Sequence, residues 1–273
     1  MKHPMVLLLA ASFLACGALR TQAQLASSVA SHFIQVTEDV IKPGGFKEYE
    51  RLQHEKAKAL KAANWKRVSI GLTHAYGPQS KVYHYSFYKS FEEVENDKEL
   101  IARNSDLAKA LEHVADQEDN VLASRNVYLV VYNPDISYQG DYNWAEMRYM
   151  SLIDIQLKAG VQEVYRKNRA MTLMANQTAH LKKNLAIYTN FCGMQSWQYL
   201  IIRPERSLTD FDELAAMKSS VYSGPYGDEI HTRLIEYFRE SVASEREDYL
   251  TFDPALGYTT SEWAGASADF WKP

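Results

Sequence analysis

The chain has 273 residues, 46% of them hydrophobic and 23% charged. Its 12 Gly and 8 Pro make up only about 7% of the sequence, which excludes collagen-like, mucin-like and low-complexity proteins. Thirty Lys and Arg against 34 Asp and Glu leave a net charge of −4, and such a balance argues against nucleic-acid binding and against a polybasic membrane-surface binder.

Residues 1–23 read as a secretory leader. Lys2 and His3 precede the apolar run Met5–Ala15, and Thr21-Gln22-Ala23 offers small residues where signal peptidase reads. Eleven apolar residues are too few to span a bilayer, and no later stretch is long enough, so the mature protein is expected in the periplasm or outside the cell, free of the membrane. A lipoprotein anchored at Cys16 is the rival, although Phe13-Leu14-Ala15-Cys16 lacks the usual Leu three residues before the cysteine. Losing Lys2 and Arg20 leaves 28 basic against 34 acidic residues, −6 net. Of the two cysteines only Cys192 survives cleavage, so no internal disulfide is expected.

After the leader the same order of patterns occurs twice. His32–Ile41 alternates with the period of a strand, Ile34, Val36 and Val40 lying opposite Phe33, Gln35, Thr37 and Asp39, until Lys42-Pro43-Gly44-Gly45 breaks it. Phe46–Trp65 has helical spacing. Arg67–Tyr76 and Lys81–Tyr88 flank Gly77-Pro78-Gln79-Ser80 as a hairpin. Ser90–Ser124 contains neither Gly nor Pro and reads as helix with a break near Asn104-Ser105; Val127–Tyr132 closes the unit before Asn133-Pro134. In the second pass Arg148–Leu157 is a strand, Val161–Lys183 a helix, and Leu185–Phe191 and Ser196–Arg203 strands around Cys192–Gln195. Thr209–Ser220 and Asp228–Glu245 are helical, split by Ser223–Gly227, and Asp248–Phe252 closes. Arg125-Asn126-Val127-Tyr128-Leu129 resembles Arg246-Glu247-Asp248-Tyr249-Leu250, and Gly45-Phe46 with Glu48 and Arg51 lines up with Gly160-Val161, Glu163 and Arg166. These matches indicate a duplication.

Each copy is therefore β-α-β-β-α-β, a ferredoxin-like unit, and the expected fold is α+β: two tandem repeats, 24–138 and 148–258, packed sheet to sheet as a fused barrel. Residues 139–147 link them. Residues 259–273 form an aromatic tail, with Trp263, Phe270 and Trp271, expected to dock on the barrel or on a partner chain, which leaves a homodimer open.

On the element order, the strand–Lys-Pro-Gly-Gly-Phe opening at 42–46 and the repeat, the chain resembles the dimeric α+β-barrel superfamily over nearly all of 32–258. That superfamily includes antibiotic-biosynthesis-type monooxygenases, NIPSNAP-like proteins, haem-degrading monooxygenases and tandem-repeat chlorite dismutases. The resemblance implies two facing sheets with a small ligand, a substrate or haem between them. The Asn–Trp–His trio of the haem-degrading members does not map here, because neither repeat has an Asn in its first strand. An axial haem ligand in the second copy would have to be His180 or His231.

Pairing Tyr76 with Val82 sets His74 directly opposite His84, about 5 Å apart on one face. A register shifted by one places Tyr83 opposite His74 instead and matches Val68, Ile70 and Leu72 with Tyr83, Tyr85 and Phe87. No third ligand follows at metal spacing, so no metal site is expected. Alternation groups His84, Ser86 and Tyr88, and likewise Trp197, Tyr199, Ile201 and Arg203; facing inward, these would suit an aromatic or anionic ligand, and otherwise they are ordinary sheet packing. Asp39 and Asp154 sit near strand ends, as caps do; His54, His113 and His231 fall in charged helical stretches; Cys192 has no basic neighbour to activate it.

Three functions remain. The first is an exported, cofactor-free binder of a small aromatic or amphipathic molecule between the repeats, through His74, His84, Tyr88, Trp197, Tyr199 and Arg203. The second is a monooxygenase or haem oxidoreductase using His84 or His180. The third is a structural protein with a filled barrel whose tail binds a partner.

Overall fold

A computed structural model of the chain describes residues 32–138, 142–178, 180, 184–212 and 227–272, with side chains in the last stretch from 232 onward. The leader, the helix expected over 209–220 beyond its first turn, most of the Ser223–Gly227 break and the His231 side chain lie outside the described residues.

Strand β1 (Phe33–Ile41) ends where Gly44 takes φ +81, a left-handed turn residue that lets the chain reverse into α1 (Phe46–Ala62). Strands β2 (Ser69–Tyr76) and β3 (Lys81–Tyr88) form the expected hairpin. The next stretch divides at Asn104 into α2 (Phe91–Arg103) and α3 (Ser105–Val121). Asn104 leaves helical geometry, and its side chain accepts the Leu107 amide at 3.0 Å, capping α3. No loop follows α3: the backbone turns extended at Leu122 and runs on as β4 (Leu122–Tyr132), longer than the alternation alone indicated.

The second copy repeats this. Strand β5 (Tyr149–Leu157) ends before Gly160, also at φ +81, and α4 (Gln162–Thr178), β6 (Ala186–Cys192), β7 (Gln198–Glu205), α5 (Gly227–Ser241) and β8 (Val242–Tyr258) follow. The paired glycines equate Gly44 with Gly160 rather than Gly45, so the alignment of the two openings moves by one residue. Tyr49, fourth in α1, then corresponds to Tyr165, fourth in α4, and both are fully buried. Strand β8 is 17 residues long and continues through Pro254, which sits at an irregularity in its pairing with β2 rather than ending it.

All eight strands close into one antiparallel barrel in the order β1-β3-β2-β8-β5-β7-β6-β4. Each repeat contributes a 4-1-3-2 sheet, and the seams are β2 with β8 and β4 with β6, so the last strand of each repeat pairs with the second strand of the other. The first seam is tight: a Cβ on Gly71 would lie 2.5 Å from Leu256 Cβ. Closure answers the uncovered-face problem, because each strand turns one face into the barrel, where the other repeat covers it.

Apolar side chains of both repeats line the barrel interior. Ile34, Val36, Ile70, Leu72, Tyr83 and Tyr85 of the first repeat meet Met150, Leu152, Tyr188, Leu200, Leu250 and Phe252 of the second. One end is stoppered by the inter-repeat segment and the tail. Trp144 packs on Tyr85, Phe87, Tyr142 and Phe252, while Trp271 packs on Phe252, Trp263 and Phe270 and donates its indole N–H to the Ala145 carbonyl at 2.7 Å. The tail thus docks on its own barrel. Among the described residues, no helix is long and apolar enough to cross a membrane.

Candidate functional site

The six residues singled out from the sequence do not meet. In the hairpin Gly71 lies opposite His84 and Leu72 opposite Tyr83, so neither sequence-derived register holds. The facing follows the more apolar alternative: Ile70, Leu72, Tyr83 and Tyr85 point into the barrel and His84 points away from it. His74 extends along β8 opposite Leu250 on the barrel side, so the two histidines lie on opposite faces of the sheet. Tyr88 faces outward under the Arg67 guanidinium, 4.5 Å from its ring centre. Tyr199 packs on Tyr165 beneath α4, and Arg203 bonds Ser151 at 2.9 Å and pairs with Glu247, both on the outer side of the second repeat. Trp197 is not on a strand; it sits in the turn before β7 at φ +62 and is exposed. The inward-facing His–Tyr–Trp–Arg set is therefore corrected: the two alternating groups lie on the helix sides of different repeats. Hydrophobic pattern sets the face, and the barrel takes the more apolar side of β3.

What the barrel encloses is a different polar set, in two layers. At the end remote from the stopper, residues of both repeats form a charged ring. Glu38 pairs with Lys81 at 2.6 Å, Arg246 reaches Asp248 at 3.1 Å and Asp154 at 3.7 Å, and Gln198 donates to Asp154 at 2.5 Å. The Tyr83 hydroxyl donates to Asp248 at 3.3 Å, and His74 Nε2 lies 3.6 Å from the same carboxylate. Burial pushes the Asp154 carboxyl up and the Tyr83 and Tyr128 phenols far above their usual range, so both tyrosines remain protonated donors at neutral pH.

Deeper, toward the stopper, lie hydrogen-bonding groups with no partner among the described residues: the hydroxyls of Tyr85, Tyr142 and Tyr188 and the indole N–H of Trp144. All four side chains are buried. Trp144 touches both Tyr85 and Tyr142, and Tyr188 packs on Tyr132, its neighbour across β4 and β6. Of this set only Tyr85 was placed by the sequence pattern, in the more apolar hairpin register; Tyr142 and Trp144 lie in the linker, where no strand pattern marks them.

His84 belongs to a separate network on the helix side of the first repeat. Arg125 grips Asp39 through Nε–Oδ1 at 2.6 Å and a second bond to Oδ2 at 2.7 Å, and its third nitrogen bonds Glu118 at 2.7 Å, which accepts from Gln53 at 2.6 Å. The Tyr49 hydroxyl lies 2.6 Å from Asp39 Oδ2 and 2.5 Å from His84 Nε2. Asp39 is wholly buried, so it is not the strand-end cap that its position suggested. Burial raises its pKa, but the bonds from Arg125 and Tyr49 outweigh that and hold it below the ordinary carboxylate value. Desolvation, reinforced by the Lys56 ammonium, lowers the His84 pKa to about 4.

Haem does not fit the described residues. His32, His54, His113 and His180 are exposed, His74 is buried against Tyr83 and Asp248, and His84 is held by Tyr49 beside a cavity of about 20 Å³. No group of three or more His, Cys, Asp or Glu suited to a metal occurs among the described residues.

No protein-family model matches the sequence, and no curated protein matches it. Solved structures do match. A protein assigned as a monooxygenase from Lactobacillus acidophilus NCFM superposes with a TM-score of 0.50 and 14% identity, covering 84% of this chain and 96% of its own. An anthrone oxidase-like protein gives 0.51 and 11%, over 82% and 92%. A chlorite dismutase variant from Candidatus Nitrospira defluvii gives 0.49 and 9%, over 86% and 95%. At these identities the likeness is one of architecture. Together with the closed strand order, it gives this chain the dimeric α+β-barrel fold in its tandem form, two ferredoxin-like repeats in one polypeptide.

Proposed function

We propose that this is an exported protein that binds a small aromatic molecule bearing a hydrogen-bond acceptor, between its two repeats and under the Trp144–Trp271 stopper. The observation that carries this reading is the group of four buried donors without partners: Tyr85, Tyr142, Tyr188 and Trp144. A buried donor left unbonded costs about 1–3 kcal/mol, so a guest that accepts these bonds gains affinity from groups already in place. The Arg148 guanidinium at the stopper is taken up by the Ala145 and Met147 carbonyls and the Phe270 ring, which favours a neutral carbonyl, quinone or phenol over an anion. The surrounding rings of Phe87, Phe252 and Tyr132 supply apolar walls.

Titration with benzoquinones and substituted phenols, followed by fluorescence of Trp144, Trp263 and Trp271, tests the reading. Saturable quenching is expected, with Tyr188→Phe weakening binding by about 2- to 12-fold, the worth of one neutral hydrogen bond. Quenching that never saturates, together with a Tyr188→Phe variant more stable than the parent, would mean a solid barrel whose orphan hydroxyl is merely a cost. N-terminal sequencing of the exported protein checks the leader: a mature chain beginning at Gln24 is expected, and an intact Met1 would remove the export reading.

A further inference from the structure

The two repeats offer an internal comparison. With β1 and β5 aligned through their terminal glycines, Asp39 corresponds to Ile155, and across the ladders His84 corresponds to Ile201 and Arg125 to Glu245. The same fold, at the same places under the same tyrosine, thus packs an apolar cluster in one copy and a buried charged relay in the other. In the second copy Tyr165 stacks on Tyr199 at 4.9 Å and its hydroxyl has no partner among the described residues. The fold thus admits an apolar solution at these places, and burying Asp39, Arg125 and Glu118 costs desolvation that the apolar version avoids.

The hydrogen bonds also decide which nitrogen of His84 is basic. Tyr49 has one proton and two close partners. Burial, followed by the Asp39 charge, pushes its pKa far up, so the phenol stays protonated, while Asp39 stays ionised and can only accept. Tyr49 must then donate to Asp39, and His84 must donate to Tyr49 through Nε2–H. The neutral ring is left with its lone pair on Nδ1. His84 lines a cleft shared with Gln53, Lys56, Ser69, Gly257 and Tyr258, whose enclosed part, about 20 Å³, takes a group the size of one water. The larger part of any substrate would remain in the mouth beside Lys56.

We propose that this cleft is a general-base site, in which His84 Nδ1 removes a proton from a small carbon acid whose carboxylate pairs with Lys56. The C–H bond next to the substrate carbonyl breaks, its electron pair moves onto the carbonyl oxygen as an enolate, and the proton forms the new N–H bond at Nδ1. Burial and the Lys56 ammonium disfavour the imidazolium so formed, but the substrate carboxylate takes up the Lys56 charge and Asp39, 3.8 Å from Nε2, favours the cation, which returns the proton to carbon, so neither oxidant nor reductant is consumed. Tyr49, Asp39 and Arg125 are positioning residues: they fix the tautomer. The groups facing His84 are Tyr49 and Lys56 of α1, Asp39 of β1, Glu118 of α3 and Arg125 of β4.

Two measurements on the full mature chain test this. ¹⁵N-resolved NMR of the His84 ring should show Nε2 protonated and Nδ1 bare at pH 7, and Tyr49→Phe should release that preference while the chain stays folded. Pyruvate in D₂O serves as the substrate probe, with methyl deuteration read by ¹H NMR. The protein should accelerate exchange over buffer, His84→Gln should abolish about 100-fold of it, and Lys56→Gln should raise the KM for pyruvate. A proton found on Nδ1, or exchange at the buffer rate with folded protein, would overturn the proposal. Met174→Gln, exposed on α4 of the second repeat, should leave the exchange unchanged, and because the exchange reads this cleft while the quinone titration reads the barrel, failure of one leaves the other standing.

Discussion

If the relay around Asp39 serves chemistry rather than folding, the first repeat should accept the second repeat's apolar solution, but only as a set. The single substitution Asp39→Ile removes both bonds from the Arg125 guanidinium and the acceptor of the Tyr49 hydroxyl, in a place with no solvent exposure. Breaking a buried pair from one side costs about 3–5 kcal/mol, and the Arg125 side chain, still one third exposed, puts this case near the lower figure. For a chain of this size each kcal/mol moves the melting point by about 2–4 °C, so the single variant should melt roughly 6–12 °C lower. The combined variant Asp39→Ile, His84→Ile, Arg125→Met, Glu118→Gln removes every charge of the relay and keeps a partner for Gln53. It should lie within about 1 kcal/mol of the parent, or above it, as apolar replacements of buried ion pairs do. Thermal and urea unfolding by circular dichroism measure both. A combined variant as unstable as the single one would show instead that the relay is what holds α1 and α3 on the sheet.

The remaining predictions concern pH, the stopper and the seam. His84 titrates near 4 when folded and near its ordinary 6.5 when unfolded, so the unfolded chain binds the extra proton between these values. Stability is therefore complete above about pH 6.5 and falls by up to roughly 3 kcal/mol as the pH drops to 4. Asp39, with its lowered pKa, acts in the same direction at lower pH still. Urea midpoints at pH 7.5 and 4.5 should differ accordingly, and His84→Ile should flatten the slope. Trp271→Ala should cost about 3–5 kcal/mol, because Trp271 is 4% exposed and stoppers the barrel against Phe252; a melting point unchanged by the substitution would show that the tail does not dock. Gly71→Ala should destabilise by about 1–3 kcal/mol, since its methyl would meet Leu256 Cβ at 2.5 Å and the Leu256 carbonyl carbon at 2.8 Å, and unfolding by urea reads this directly.

Much of the architecture is written locally. Alternation over Phe33–Ile41, the glycine turns at Gly44 and Gly160, the break at Asn104 and the recurrence of the whole series depend on neighbours within a few residues, and on these the element order and the duplication were legible. The orientation of each strand was not. In a barrel sheathed by helices both strand faces are buried, so apolar residues on either side cannot say which one points inward: Tyr83 and Tyr85 enter the barrel, Tyr199 and Ile201 lie under a helix, and both pairs are buried in strands of the same repeat position. Hairpin register likewise came from the turn and the seam with β8, not from the pattern. The charged relay was the least legible part, because Asp39, Glu118 and Arg125 come from three separate elements and Arg125 stands 86 positions from Asp39. In sequence each is one polar residue among many; only the packing of α1 and α3 across the first sheet puts them in contact, where the loss of water makes their pairing obligatory.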